Sequence, residues 1–437
     1  MQATVSPREL SGAIPAISSK SVAHRLLILA ALSPSVTTVG CNTTSRDIEA
    51  TVSCLQALGA RITRTSAGYR VVPLRGWSVS DNHPLATPDA VLDCGESGST
   101  ERFLLPIVAA LGGGASIVGH GRLAERPLSP LYEELVSHGV ELGPQGSFPL
   151  RVAGRLRPGR FLLPGNVSSQ FVSGLLMAAP ILGAPMEVAV TEPVQSMPYI
   201  ALTTDALAMF GVDVAVSHEV IAGTPCTCYC TPSSRLASPG SCEVEGDWSN
   251  AAFWLAAGAL SHEGVTVQGL NLASTQGDRV VLAALASFGA RVARKGSAAR
   301  VTLDAPHAAS MDVSNFPDLV PPLAAVAAVC PGTSELRNAG RLRLKESDRL
   351  ETVCAALRAL GIEARTRGDD LLVTGGTPTG GVVDSANDHR IAMLAAVLAT
   401  RATGPVTIQG AECTAKSYPA FWEDLARLGG TVSTREA

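Results

Sequence analysis

Six times along the chain, apolar residues recur at three- and four-residue steps and then stop at a glycine. The runs are DIEATVSCLQALGA, PLYEELVSHGV, DALAMFGV, DRVVLAALASFGA, DRLETVCAALRALGI and PAFWEDLARLGG, and the glycines are Gly59, Gly139, Gly211, Gly289, Gly361 and Gly429. That spacing predicts a half-buried helix, and the glycine predicts a left-handed cap at its end. The β-rich stretches that follow, such as RVARKGSAARVTL, predict hairpins or paired strands. A second kind of helix precedes each of these. It opens on a polar turn and runs into small apolar residues: SSKSVAHRLLILAAL, GESGSTERFLLPIVAAL, NVSSQFVSGLLMAAPIL, GDWSNAAFWLAAGAL, SNFPDLVPPLAAVAAV and SANDHRIAMLAAVLAT. Such runs have no polar face, so they should be buried on most sides.

The openings lie roughly 70 to 80 residues apart, too far for a solenoid repeat and enough for strands plus two helices. Six α/β units in 437 residues predict two domains of three units each. Buried helices would pack around a three-fold arrangement with the sheets outside. The crossing between domains is expected in SSRLASPGSCEVEGDWSN, where Ser, Pro and Gly crowd 233–241.

Composition narrows the class. Apolar residues make up 46% and aromatics 4%, so the core must rest on Ala, Leu and Val. The net charge of −4, without long runs of one sign, gives no sign of a nucleic-acid tract or a polybasic membrane patch. Apolar stretches such as Leu323 to Val329 fall short of the roughly 20 residues a membrane helix needs. No secretory signal is visible around Arg8 and Glu9, so a cytoplasmic location with reduced thiols is expected. Cys226, Cys228 and Cys230 alternate in CTCYC and should share one face of a strand as small apolar groups. Their spacing and the scattered histidines do not suit a metal site.

The polar turns carry the candidate chemistry. Amides at a helix start bind anions, and small residues let a phosphate or carboxylate approach. Ser18, Ser19, Lys20 and Ser21 form one such start, Gly95, Ser97, Gly98 and Ser99 a second, and Ser168, Ser169 and Gln170 a third. Simple capping accounts for any one of them; repetition at matched places favours binding. Cations sit in these or comparable turns: Lys20, Arg25, Arg126, Lys345, Arg349, Arg390 and Lys416. An acidic protein that gathers cations at turns predicts a ligand with several anionic groups. Asp318 and Glu346 stand among them as candidate acid–base groups, against the plainer readings of an N-cap and a helix-start acid. His389 is a third, although Asp388 and Arg390 beside it also suit structural pairing.

Taken in order, SSKSVAHR, GESGSTERF, ERPLSPL, NVSSQFVSGLLMAAP, QSMPYI, LRLKESDRL, NDHRIAM and CTAKSYP resemble the 5-enolpyruvylshikimate-3-phosphate synthase family of enolpyruvyl transferases, from near residue 14 to near residue 425. The resemblance implies an α/β fold, a two-domain inside-out α/β barrel. Each domain would comprise three βαβαββ units with buried helices and outer sheets, closing on substrates. It places the first domain at 19–243, the second at 1–18 plus 244–437, and the hinge near 233–246. It implies transfer of the enolpyruvyl group of phosphoenolpyruvate to the 5-hydroxyl of shikimate 3-phosphate, with no metal and no organic cofactor, in a monomer. By motif, Lys20, Ser21, Arg25, Ser168, Ser169, Gln170, Ser196, Tyr199, Asp318, Arg341 and Lys345 would bind shikimate 3-phosphate. Lys20, Gly98, Arg126, Gln170, Arg349, Arg390 and Lys416 would bind phosphoenolpyruvate. Lys20, Asp318, Glu346 and His389 would share the proton transfers. Gly98 is expected to leave open space against the phosphoenolpyruvate pocket, where glyphosate would compete. Glu96, Arg341 and the pair Ile17-Ser18 depart from the family pattern. A sister family acting on UDP-N-acetylglucosamine carries a reactive Cys where this chain has Gly121, and a non-catalytic relative would have lost Lys20, Asp318 or Glu346.

Overall fold

A computed structural model describes residues 1–74 and 89–436. Among them the chain divides into two compact units, Lys20–Val244 and Met1–Ser19 with Glu245–Ala437.

The unit Lys20–Val244 holds helices α1 (Lys20–Leu32), α2 (Arg46–Ala57), α3 (Gly98–Leu111), α4 (Leu131–Ser137), α5 (Ser169–Leu182) and α6 (Met197–Met209). The other holds α7 (Trp248–Ala259), α8 (Val281–Ser287), α9 (Val320–Ala327), α10 (Arg349–Ala359), α11 (His389–Ala399) and α12 (Phe421–Arg427). The Ala- and Leu-rich helices α1, α3, α5, α7, α9 and α11 are buried along almost their whole lengths. Lacking a polar face, they form the centre of each unit's core. The even-numbered helices expose their polar side. After each of them comes one of the six predicted glycines, with φ between 77° at Gly361 and 107° at Gly59. A residue with a Cβ would be strained there.

Six four-stranded sheets cover these helices, three in each unit among the described residues. Each sheet has one parallel pair followed by two antiparallel neighbours. In the sheet of Arg160–Pro164, Met186–Thr191, Thr224–Thr231 and Ala215–Ile221, Phe161 lies opposite Val188 and Leu163 opposite Val190. All four are buried, while Arg160 and Leu162 face outward, the alternation of a sheet with one covered face. RVARKGSAARVTL becomes the predicted hairpin, Arg291–Lys295 against Ala298–Thr302.

The chain passes between the units at Ser19–Lys20 and Val244–Glu245, each time shortly after a strand held in a parallel pair of the unit it leaves. Strand Gly12–Pro15 runs parallel to Val265–Gln268, and strand Ser241–Glu243 runs parallel to Thr37–Gly40. The first strand Gln2–Ser6 sits between Val406–Gln409 and Thr431–Arg435.

All ten cysteines are free. Cys226 and Cys228 pack with Ala189 in a small cluster against which Cys230 lies, as the alternation predicted. The Cys228 sulfur does approach the carboxylates of Glu187 and Glu219. Arg160, however, forms ion pairs with both of these acids. Burial first, and then these two acids, push the Cys228 thiol up to about 11. A protonated thiol beside carboxylates already paired with a guanidinium is a poor ligand set. No helix among the described residues is long and apolar enough to cross a membrane.

Candidate functional site

The predicted residues gather in two groups, one in each unit. In Lys20–Val244 the first turn of α1 presents Lys20, whose Nζ donates to Asp47 Oδ2 at 2.7 Å. One turn on, Arg25 is buried to 2% exposure. Its Nε donates to Thr203 Oγ1 (2.7 Å), its Nη2 to Ser173 Oγ (3.2 Å) and the Tyr199 carbonyl (2.9 Å), and its Nη1 to the Ser21 carbonyl (2.6 Å). Every acceptor is neutral, and burial pushes the Arg25 guanidinium down to about 9. A buried cation without a carboxylate partner among the described residues favours an anion brought to it from outside.

Ser168 caps α5 by accepting from the Gln170 amide at 3.3 Å, and Ser97 caps α3 by accepting from Thr100 at 3.2 Å, so the plain reading holds for both. Ser169 is buried in the first turn of α5. The Gln170 side chain is fixed at both ends: its Nε2 donates to Ser99 Oγ at 2.8 Å, and its Oε1 accepts from Arg102 Nη1 at 2.9 Å. Ser196 opens α6 in the left-handed region, φ 54°, and Tyr199 donates its amide to the Ser196 carbonyl at 3.0 Å.

The expectation for Gly98 is corrected. A Cβ there would lie 2.6 Å from Arg126 Nη1 and 2.7 Å from its Cζ, so the space beside Gly98 is filled by the Arg126 guanidinium. That guanidinium makes no hydrogen bond to the described residues, and its Nε is buried. Glycine therefore leaves room for the arginine. Gly98→Ala is expected to push Arg126 aside and to raise KM for an anionic substrate that Arg126 holds about tenfold with a smaller change in kcat, the scale of one charge-assisted hydrogen bond of about 1.5–3 kcal/mol. Steady-state kinetics checks this, and an unchanged KM would remove Arg126 from the ligand's reach.

The second group surrounds Asp318, on a short 3-10 turn before α9. Lys345 Nζ lies 3.2 Å and Arg349 Nη1 2.9 Å from Asp318 Oδ1, and Arg390 Nη2 lies 3.4 Å from Oδ2. Burial alone would raise this carboxyl, but Arg390, Lys345 and Arg349 outweigh it and hold Asp318 well below the usual carboxylate range. Asp318 caps no helix, so its plainer reading falls. Glu346 is not in the first turn of α10 either; the cap there is Asp348, which accepts from the Glu351 amide.

Arg349 is 1% exposed and binds three carboxylates: Asp318, Glu346 (Nη2 to Oε2, 2.7 Å) and Asp388 (Nε to Oδ2, 2.8 Å). Asp388 also accepts from Ser347 Oγ at 2.9 Å and caps α11 through the Arg390 amide. Burial lowers Lys345, with Asp318 opposing and Arg349 and then Arg341 assisting. His389 is buried at the start of α11, its Nδ1 3.9 Å from Asp388 Oδ1. Ala386 and Asn387 before it are both left-handed, φ 50° and 55°, a costly arrangement for residues with a Cβ. It presents the Asn387 carbonyl to Lys416 Nζ at 2.7 Å.

Sequence reasoning missed two acids here. Asp388 stood in NDHRIAM as a mere neighbour of His389, yet it is a main anchor of Arg349. Asp278, in GDRVV, gave no signal. Burial and then nearby Asp318 push it up to about 6, against the pull of Arg390, and Ser249 donates to its carboxylate.

The chain as a whole is similar to known proteins. Residues 5–425 match the family model described as EPSP synthase (3-phosphoshikimate 1-carboxyvinyltransferase). The chain is 38% identical to the 3-phosphoshikimate 1-carboxyvinyltransferase of Clostridium kluyveri, covering 98% of this chain and 97% of that one. It is also 38% identical to the enzyme of the same name from Clostridium acetobutylicum, with the same coverage. In fold it is similar to EPSP synthase from Acinetobacter baumannii (TM-score 0.77, 24% identity, 99% and 100% of the two chains covered). It is also similar to the enolpyruvyl transferase NikO from Streptomyces tendae (TM-score 0.74, 19% identity, 100% and 99% covered). The matching model and the relatives each span nearly the whole length, and the chain belongs to the EPSP synthase (3-phosphoshikimate 1-carboxyvinyltransferase) family.

Proposed function

We propose that this chain joins phosphoenolpyruvate to the 5-hydroxyl of shikimate 3-phosphate and releases phosphate, as the names of its relatives indicate. The observation that carries this reading is the Asp318 cage, in which a carboxylate is kept ionised by three cations suited to anionic substrates. Lys20, Ser21, Arg25, Ser168, Ser169, Gln170, Ser196, Tyr199, Arg341 and Lys345 bind shikimate 3-phosphate, the buried and otherwise unpaired charge of Arg25 favouring its phosphate. Lys20, Gly98, Arg126, Gln170, Arg349, Arg390 and Lys416 hold phosphoenolpyruvate; Gly98 acts by leaving Arg126 its place.

Asp318 accepts the proton of the 5-hydroxyl as its oxygen bonds to C2 of phosphoenolpyruvate. A carboxylate held so far below its ordinary range is a weak base. Anions that draw Arg390 and Arg349 toward themselves raise its basicity at the moment it is needed. Glu346 gives a proton to the methylene carbon, forming a ketal phosphate. It then removes a proton from the resulting methyl group as the C2–O bond to phosphate breaks, and the proton taken by Asp318 leaves with the phosphate. Lys20 and His389 assist these transfers. The enzyme works as a cytoplasmic monomer in aromatic amino acid biosynthesis, and glyphosate competes with phosphoenolpyruvate.

A phosphate-release assay tests the reading. Phosphate and enol ether should form in equal amounts, and only with both substrates present. Tight binding of both without phosphate release would mark a non-catalytic relative; turnover of UDP-N-acetylglucosamine alone would assign the sister reaction. Lys20→Met should lower turnover at least about tenfold, since it removes charge-assisted bonds worth about 1.5–3 kcal/mol each. Turnover within twofold of wild type would exclude Lys20 from the site.

A further inference from the structure

One acid beside this machinery has no part in the reaction just described. Glu101, in the first turn of α3 and three residues past Gly98, is 1% exposed. Its Oε2 has no hydrogen-bond partner. It lines a small pocket with Arg126, Leu123, Leu128, Phe148 and Leu150. The Arg126 Nε is likewise buried without a partner, and the two side chains form no ion pair. Three charged or titratable groups act on Glu101 or are acted on by it: Arg102, Arg126 and the buried thiol of Cys94. Arg102 already donates to Gln170 Oε1 and the Pro127 carbonyl, and Cys94 stays a thiol, pushed up chiefly by its contact with Cys54 and by burial. Arg126 is the cation with no other claim on it.

We propose that Glu101 is a titrating positioning residue for Arg126: as a neutral acid it leaves the guanidinium to an anionic ligand, and as a carboxylate it competes with that ligand across the pocket both side chains line. This rests on Arg126 being a phosphoenolpyruvate ligand. Burial pushes the Glu101 carboxyl up to about 7, with Arg102 and Arg126 restraining the rise, so the exchange falls where enzymes work. An ionised Glu101 and the ligand's anionic groups cannot both neutralise one guanidinium. Ligand binding must therefore take up a proton over this range, and affinity must fall as pH rises.

The test compares wild type with Glu101→Gln, the same shape held neutral. Across about pH 6 to 9, KM for phosphoenolpyruvate at saturating shikimate 3-phosphate should rise at least about threefold more in wild type than in the variant, while kcat changes less. Parallel KM profiles would overturn the proposal. Thermal melting supplies a readout independent of turnover. A carboxyl raised on folding gives stability that is complete below its unfolded value and is lost as pH rises from there to its folded value, so wild type should lose Tm relative to Glu101→Gln as pH rises from the ordinary glutamate range to about 7, and the difference should level off above that. A Tm difference that does not change with pH would also overturn it. If wild type shows no turnover with the two substrates, the functional reading fails by itself. Proton uptake on binding inorganic phosphate, measured calorimetrically in two buffers, then decides: uptake in wild type but not in the variant supports the role of Glu101, and equal uptake refutes it. Glu101→Leu, which fills the pocket without a polar group, should give the same flat profiles and replaces the Gln variant if that fails to fold.

Discussion

Asp318→Asn should lower kcat by about a hundred to ten thousandfold, the usual range for losing a positioned general base. Asparagine keeps the size and one accepting oxygen for Arg349, but it cannot take the proton of the attacking hydroxyl. The same change removes the negative charge that Lys345, Arg349 and Arg390 share. Those cations then have more charge to offer an anion, so KM for phosphoenolpyruvate should stay level or fall. Loss of kcat without loss of affinity is the signature of a group that acts on the reacting proton. Steady-state kinetics with both substrates measures it; a kcat within tenfold of wild type would move the proton acceptor elsewhere.

Arg349→Gln should destabilise the protein by about 3–5 kcal/mol, the scale for removing one partner from a buried ion pair. Arg349 is nearly inaccessible to solvent and serves Asp318, Glu346 and Asp388 at once. Asp388 is the costliest of the three to abandon, at 0% exposure and with its oxygens already committed to Ser347 and the start of α11. Urea unfolding gives the magnitude. The pH dependence gives the sign. The folded Asp318 carboxyl lies well below its ordinary value, so its stabilisation is present above the ordinary carboxylate range and disappears as pH falls toward the depressed one. Without Arg349 that depression shrinks, and acid unfolding should begin at a higher pH. An unchanged acid midpoint, with stability within about 1 kcal/mol of wild type, would mean that Arg349 is not what holds these acids.

The helices and their glycine stops were legible because burial imposes a period on sequence, and the six left-handed glycines fall where the pattern ends. Element starts were less so. The apolar run DALAMFGV marks only the second half of α6, which begins at Met197 behind a left-handed Ser196. Serine carries no mark of that conformation. The cations of the site were found because they stand in turns of small residues. What those cations touch was not, because the partners are far away in sequence. Arg25 donates to Ser173 and Thr203, and Arg390 lies near Asp278, across separations that no periodicity records. The space beside Gly98 was misjudged for the same reason: its occupant, Arg126, comes from another turn.

The placement of strand Gln2–Ser6 between Val406–Gln409 and Thr431–Arg435 bears on the order in which a ribosome can deliver the parts. Among the described residues, every strand of Lys20–Val244 finds its neighbours inside that stretch, so those sheets can be completed as soon as residue 244 has emerged. Strand Gln2–Ser6 is made long before both of its neighbours. It must remain unpaired while more than 400 residues are added, with Ala3 and Val5, fully buried in the finished protein, exposed in the meantime. An unpaired apolar strand is a template for association with other chains. Here it is only five residues long, with Gln2, Thr4 and Ser6 alternating between its apolar positions. That brevity limits what a nascent chain can stick to while it waits for its own C-terminal partner.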